Sequence, residues 1–403
     1  MSGTRVLVAG ASIAGPALAH WLRRRGAEVT VVERAPGLRP GGQAVDARGV
    51  AKEVIRRMGL DAAVRTACTE TAGAYTVDVD GNVLETYRAD DHGGDGFIAE
   101  IEILRGDLSQ VLYDDTRDGV EYVFGDQIAE LTQDADGVDV AFAGGGRRRF
   151  DLVIGADGLH SALRAMVFGP RERFVRHLGL VLAFYSMPNE FGLDRWMIEY
   201  QESGSGRSAL LRPIQDATRG MAMFSFPSAD FDVDYRDVAA QKRLLRERMA
   251  GLGWLAPRIL AHLDDTPDFY LDQVAQVVMD RWSSGRVGLL GDAAFSSSPL
   301  SGGGTGLALV GAYLLTEELA AAGWNPEAGF AGYEGRMRSF VEANQEIGRL
   351  HARSLDVPGP DAEPSLAPEE WPTELIERAI NGVELPDYAE VPDSRASGSR
   401  PRG

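Results

Sequence analysis

The stretch from Arg5 to Glu33 restricts the possible folds more than any other. Arg5-Val6-Leu7-Val8-Ala9 is a short apolar run rich in β-branched side chains, the pattern of a strand buried on both faces of a parallel sheet. Gly10-Ala11-Ser12-Ile13-Ala14-Gly15 follows at once, and residues 14–25 then read as a helix with Leu18 and Leu22 on one face. A second β-branched run, Val29-Thr30-Val31-Val32, ends on Glu33. Strand, glycine turn, helix, strand, acid is the order of a dinucleotide-binding βαβ unit.

Each position in that unit has a physical task. Gly10 makes the tight turn, Gly15 allows helix and strand to pack closely, and the helix N-terminus at Ile13 and Ala14 faces a pyrophosphate. Glu33 stands 18 residues past Gly15, where a carboxylate accepts hydrogen bonds from a ribose diol. An acid there suits an unphosphorylated adenosine ribose, as in FAD or NAD. Ser12 departs from the usual middle glycine: it narrows the space at the phosphates but adds a hydroxyl donor. Arg34 follows the acid directly.

Length and charge narrow the alternatives. The 403 residues allow two to three domains or one interleaved unit. Apolar residues at 44% and charged residues at 25% are ordinary for a globular protein with a sizeable core. The formal net charge of −19 disfavours nucleic acid or an anionic membrane as the main partner. The single cysteine, Cys68, excludes an intrachain disulfide or a multi-cysteine metal site and reads as a core residue. No leader precedes the first strand and no apolar run reaches membrane length, so the expected location is cytoplasmic.

Two more dense stretches occur downstream. Leu152-Val153-Ile154-Gly155-Ala156-Asp157-Gly158 is an apolar strand entering a turn, with a helix expected near Ser161. Asp157 taken alone reads as a structural turn residue that accepts backbone N–H groups. Val287-Gly288-Leu289-Leu290-Gly291-Asp292 is a further strand, followed by a loop of small side chains from Phe295 to Gly306 and a helix over 307–321. Pro299, Gly302, Gly303, Gly304, Thr305 and Gly306 leave backbone amides bare before that helix, which suits a planar group lying against them.

The remaining chain supplies context. Gly41-Gly42 reads either as a flexible turn or as backbone passing close to a flat cofactor, with Arg48 just beyond, near phosphate or ring. Residues 75–87 form a hairpin around Asp80-Gly81, residues 90–96 a polar loop, and residues 104–112 a helix with Arg105 at its start. The Met- and aromatic-rich runs between 184 and 226 read as strands of a core sheet, one face of which can line an apolar pocket. A last long helix covers 330–350, a short one 373–380, and the acidic, Pro-rich end reads as a tail.

Taken together, Gly10 to Gly15 with Glu33, Gly155-Ala156-Asp157-Gly158 with Ser161 and Arg164, and Gly291-Asp292 with the Pro299–Gly306 loop resemble the FAD-dependent aromatic hydroxylases. These are the single-component flavoprotein monooxygenases similar to para-hydroxybenzoate hydroxylase. The resemblance spans about residues 1–350 and lacks the thioredoxin-like C-terminal extension of some members. It implies an α/β fold: a Rossmann-like FAD-binding domain (1–72, 97–172, 271–355), an interleaved mixed-sheet substrate domain (73–96, 173–270), and C-terminal helices with an acidic segment (356–403).

The same resemblance implies roles. Gly10, Ser12 and Gly15 would hold the pyrophosphate, Glu33 the ribose, and Arg105 the ribityl-pyrophosphate part of FAD. Asp157 and Gly158 match a motif tied to FAD and NAD(P)H, and Asp292 would accept from the ribityl hydroxyls. Pro299 to Gly306 would lie beside the isoalloxazine, with the following helix pointing its positive end at the ring. The implied activity is hydroxylation of an aromatic or polyketide-type molecule with NADH or NADPH and O2, through a flavin C4a-hydroperoxide, by a monomer or homodimer. Epoxidation, Baeyer–Villiger insertion, antibiotic inactivation or flavin-dependent reduction are alternatives on the same fold, and a flavin-binding protein without turnover is the alternative of a different class. Phe295 stands where many relatives have histidine, which loosens any inference about substrate. For a phenol-deprotonating base, His92, His177, Tyr185 and Tyr200 are candidates, each also readable as structural.

Overall fold

The computed structural model describes residues 3–89, 98–228, 234, 236–355 and 371–387. The expected polar loop at 90–96, with His92, and the end of the acidic tail lie outside the described residues. Strand β1 (Arg5–Ala9) leads through α1 (Ala14–Arg24) into β2 (Glu28–Glu33). Next come β3 (Ala44–Ala47), α2 (Val50–Met58), α3 (Asp61–Thr66) and the hairpin β4 (Gly73–Val77) and β5 (Val83–Arg88). β6 (Ile101–Leu104) runs into α4 (Arg105–Thr116), β7 (Glu121–Phe124) and the meander β8 (Ile128–Gln133), β9 (Val138–Phe142) and β10 (Arg147–Phe150). β11 (Leu152–Gly155) and α5 (Ala162–Phe168) precede β12 (Val175–Pro188), β13 (Trp196–Glu202), β14 (Arg207–Pro213) and β15 (Arg219–Pro227). Then follow α6 (Val238–Arg248), α7 (Ala256–Ala261), β16 (Tyr270–Val277), β17 (Ser283–Ser284) and β18 (Val287–Leu289). Helices α8 (Asp292–Phe295), α9 (Gly304–Ala321), α10 (Pro326–Ser354) and α11 (Thr373–Asn381) complete the described chain.

Among the described residues the first sheet runs β17-β18-β11-β1-β2-β7, parallel except for β17. Val6, Leu7 and Val8 of its central strand are wholly buried, each worth about 1.5–3 kcal/mol in transfer free energy. Helix α9 is apolar nearly all round because it is covered on several sides, by α1, α2 and α10.

The second large sheet has the order β16-β12-β15-β14-β13-β4-β5 and is mixed, with β13 and β4 parallel. Period-two alternation divides its faces. Val181, Ala183 and Tyr185 of β12 pack with Leu245, Met249 and Ile259 of the α6–α7 layer. Leu180, Leu182 and Phe184 point the other way, toward Leu104 of β6 and Leu300 in the loop before α9. The helix-packed reading of the Met- and aromatic-rich run thus holds on the first of these faces.

Three elements differ from expectation. Helix α9 starts at Gly304, not Leu307, so Gly304, Thr305 and Gly306 form its first turn. The low helix propensity of those glycines is overridden by the packing of α9 against α1, α2 and α10. Strand β10, Arg147-Arg148-Arg149-Phe150, hides behind its arginines, which face solvent from the meander. Strand β16 carries Asp272 and Gln276, polar yet buried because Gln276 donates to the carbonyls of Ser297 and Gln345. This strand belongs to the second sheet although it begins at the expected domain boundary.

Candidate functional site

The three sequence motifs leave the first sheet from one row of residues. Ala9 pairs with Val32 and with Gly155, and Gly155 pairs with Leu289. One hydrogen bond then fastens each departing turn to its neighbour: Gly10 N–H to Val32 O at 2.8 Å, Ala156 N–H to Ala9 O at 2.7 Å, and Leu290 N–H to Gly155 O at 2.8 Å. Gly10, Glu33, Asp157 and Asp292 thus gather at the carboxyl ends of adjacent parallel strands, where open α/β sheets bind ligands.

The first turn is shaped by sterics. Gly10 has φ +109°, and a Cβ there would sit 2.4 Å from Ala156 O. A Cβ on Gly15 would sit 1.9 Å from Gly10 O. Ile13 caps α1 without a side-chain hydrogen bond, and no acid lies in the first turn, so the helix offers bare N–H groups to an anion. Glu33 Oε2 accepts from Ala11 N–H at 2.9 Å and Oε1 from Ala35 N–H at 2.9 Å, which holds the acid against the turn. Arg34 points outward and is exposed.

Arg105, the first residue of α4, closes this end of the groove. It donates to Ser12 Oγ at 3.3 Å and to the carbonyls of Arg39 and Gly41 at 3.0 and 3.3 Å. Burial, with Arg39 nearby, pulls its guanidinium down to about 10. Gly42 has φ +86°, and a Cβ there would press on Arg105 Nε at 2.7 Å. Gly41-Gly42 is therefore a turn built around the arginine.

Asp157 is engaged within its own motif. Its carboxylate accepts from Ser161 Oγ at 2.5 Å and from the Ala162 and Leu163 amides at 2.8 and 3.1 Å, so it caps α5. Gly158 supplies the positive φ (+79°) that the turn requires. Arg164, buried, donates to Ala293 O at 2.9 Å and ties this motif to the third one.

At the third motif, Asp292 is exposed, and desolvation by the atoms packed around it, opposed by a hydrogen bond from Ser296 and by Arg164, raises its carboxyl above the usual range. Tyr270 of β16 has the same character, 42% exposed yet walled in, with its phenol donating to Asp272 Oδ2 at 3.1 Å. Pro299 is exposed on a single 3-10 turn, and Ser298 before it holds φ +74°, a conformation that L-residues adopt only under constraint. Gly302 lies against Arg48, and a Cβ on Gly303 would collide with Asn344 Oδ1 at 1.7 Å. Gly304 instead faces open space. Helix α9 begins without a side-chain cap or an acid in its first turn, and Thr305 is buried there.

Arg48 lies at this glycine loop and not at the turn 10–15. It pairs with Asp46 at 3.0 Å and donates to Gly302 O at 3.3 Å. Of the base candidates, Tyr185 and Tyr200 belong to the α6–α7 face, and Tyr185 donates to Ile259 O at 3.0 Å. His177 accepts from the Gly179 amide at 2.8 Å through Nδ1, and burial lowers its pKa. Sequence reasoning missed Asp46, Tyr270 and Arg212. The only local signal was a charged pair, Asp46 and Arg48, flanking Ala47 in an apolar setting.

The donor set fits FAD. Two uncapped helix N-termini suit a pyrophosphate and a ring carbonyl, and Glu33 and Asp292 suit ribose and ribityl hydroxyls. Among the described residues no cluster of metal-ligating side chains occurs, and no helix is long and apolar enough to cross a membrane.

Comparison with known proteins agrees with this reading. The FAD binding domain family matches residues 3–346. An uncharacterised protein of Mycobacterium tuberculosis strain ATCC 25618 / H37Rv is 45% identical over 384 residues, covering 95% of this chain and 99% of the relative. A flavin-dependent monooxygenase of Legionella longbeachae is 37% identical over 393 residues, covering 95% and 98%. Among solved structures, the tetracycline destructase Tet(51) superposes with a TM-score of 0.85 at 35% identity, covering 96% of this chain and all of that one.

Proposed function

The chain belongs to the FAD binding domain family and is an FAD-dependent monooxygenase, and from that premise we propose that it uses NADH or NADPH with O2 to hydroxylate a small aromatic or polyketide-type molecule. The observation that carries the proposal is the convergence of Gly10, Glu33, Asp292 and the uncapped α9 N-terminus at one edge of the first sheet, where Gly291 lies against Ala14 of α1 and Ala308 of α9. Bound FAD would take reducing equivalents from the nicotinamide and activate O2.

The protein's own residues would bind the cofactor and shield the reaction from water. The turn 10–15 and Arg105 would hold the pyrophosphate, and Asp292 the ribityl chain. Pro299 and Gly302–Gly304 would leave backbone against the ring. The positive end of α9 would stabilise negative charge that develops on the ring's pyrimidine side. Leu182, Phe184 and Met221 would exclude water from the reacting substrate. In this reading the first sheet and its helices form the FAD-binding domain, the second sheet with α6 and α7 the substrate domain, and β16 runs between them.

The test is rapid-mixing reduction of the flavin by NADH and by NADPH with a panel of phenolic ligands, together with O2 consumption and product analysis. Ligand-accelerated bleaching with O2 consumed in proportion to an oxygenated product is the expected result. NAD(P)H oxidation without oxygenated product would favour a reductase, and a colourless preparation that does not bind added FAD would overturn the reading. The similarity to Tet(51) favours one second reading, oxidative inactivation of a tetracycline-like antibiotic, so tetracycline belongs in the panel.

A further inference from the structure

One row of residues crosses the second sheet from strand to strand. The registers pair Tyr270 with Phe184, Phe184 with Met223, Met223 with Leu210, Leu210 with Glu199, and Glu199 with Thr76. Residues paired directly share a face of the sheet. Ile198 and Tyr200, on either side of Glu199, pack with the α6–α7 layer, whereas Phe184 and Met223 belong to the opposite face with Leu104 and Leu300. Glu199 therefore projects from that opposite face. At the other end of the row, Tyr270 lies close enough to Asp292 and Arg105 to feel both charges.

The row changes character along its length. From Tyr270 to Leu210 it is aromatic or apolar, and the rings of Phe184 and Tyr270 stack at 4.7 Å. Glu199 ends that apolar run. Strand spacing sets it about 10 Å from Met223 and about 14 Å from Phe184, a length that a polycyclic body spans.

No structural task accounts for this carboxylate. Its Oε1 accepts from Gln201 Nε2 at 3.2 Å, an exposed side chain two residues along the same strand. Among the described residues it has no cationic partner, and Arg212, on the same face of β14, is held by Glu102 at 2.6 Å. The atoms packed around Glu199 desolvate its carboxyl and push its pKa up, opposed only by the Gln201 bond. Yet the residue is half-buried rather than sealed, so a ligand can reach it. A partly desolvated carboxylate without a counter-ion is unfavourable until a cation arrives.

We infer that Glu199 binds a protonated amine of the substrate, while the flat apolar part of the same molecule lies along Leu210, Met223 and Phe184. An ammonium N–H donates to the Glu199 carboxylate, a charge-assisted bond about twice as strong as one between neutral groups. Anionic aromatics are disfavoured at this end, because Glu85 faces Thr76 on the same side and adds a second negative charge. The formal net charge of −19 steers cationic ligands toward the protein as a whole.

Calling the ligand a substrate rests on the monooxygenase reading, but the test needs no turnover. The FAD-loaded protein is titrated calorimetrically at neutral pH with three matched probes: naphthylethylamine, the neutral naphthylethanol and the anionic naphthylacetate. The wild type should bind the amine about tenfold or more tighter than the alcohol, the scale of one charge-assisted bond, and the acetate weakest. Glu199→Gln should erase the preference for amine over alcohol and leave the alcohol's affinity unchanged. Glu199→Asp should keep part of the preference, and Glu199→Lys should turn it toward the acetate. Flavin absorbance and the urea midpoint of each variant confirm the fold. A merely structural carboxylate would lower the midpoint of Glu199→Gln without changing the ratio of amine to alcohol affinity. Equal binding of amine and alcohol by the wild type, a preference that survives in Glu199→Gln, or no binding of the amine overturns the inference. An amine that binds through Glu199 but is never oxygenated with NAD(P)H and O2 counts against the proposed function alone.

Discussion

Ser12 Oγ accepts a hydrogen bond from Arg105 Nη1 at 3.3 Å, so the residue that replaces the middle glycine of the fingerprint holds the arginine that closes the groove. The bond is long, and Arg105 keeps its two carbonyl partners without it. Ser12→Gly is therefore expected to retain FAD, with affinity within about tenfold of wild type, the scale of one weak hydrogen bond. Flavin fluorescence titration of the FAD-free protein checks this.

Gly10→Val should behave oppositely. A side chain there meets Ala156 O at 2.4 Å, and φ +109° is forbidden to a β-branched residue. The turn must open, which separates the first motif from the second. Loss of bound flavin from the purified protein is the expected result, and normal FAD content would show that the pyrophosphate does not sit at this turn.

Asp157 and Ser161 make a separable prediction. Because the carboxylate caps α5, Asp157→Ala and Ser161→Ala should each cost about 1–2 kcal/mol in urea unfolding of the FAD-free protein. If Asp157 served only the cofactor, its stability effect would vanish without FAD.

The parts of the molecule that could be read from residues alone are those whose causes are local. The βαβ unit, the Asp80-Gly81 hairpin and the strand entering Gly291-Asp292 follow from periodicity and turn chemistry within a dozen residues. The Asp46–Glu102 pairing depends on a strand register across 56 positions, and Arg212 arrives from the other sheet. Strand β16 was hidden because its polar residues are buried through side-chain bonds to distant carbonyls, which reverses the usual polarity pattern. Tyr185 and Tyr200 shared an aromatic stretch with the groove face, yet strand alternation sends both to the helices instead.

Arg25 and Glu317 bind α1 to α9 behind the groove. Arg25 Nε donates to Glu317 Oε1 at 2.8 Å, and the Glu317 side chain is only 3% exposed. Glu317→Gln leaves a mostly buried guanidinium without its counter-charge, at an expected cost of about 3 kcal/mol in chemical denaturation. If α9 presents its N-terminus to the ring as proposed, the same variant should also weaken FAD binding, while Glu318→Gln on the neighbouring ion pair should change stability by less than about 1 kcal/mol.

Asp46 also links stability to pH. Its carboxyl is raised from an ordinary 3.8 to about 6, chiefly by burial, so between those values the folded chain binds more protons than the unfolded one. The stabilising contribution of protonated Asp46 is fully present below pH 3.8 and is lost as pH rises through about 6. Other carboxylates that are held low in the folded state, such as Glu102, impose the opposite slope as they protonate in acid. The Asp46 contribution is therefore isolated as a difference between proteins. Wild type minus Asp46→Asn stability, from urea midpoints across the acid range, should fall by up to about 3 kcal/mol as the carboxyl ionises. A flat difference would mean that Arg48 and Arg212 fully compensate burial, and that Asp46 is already ionised well below neutrality.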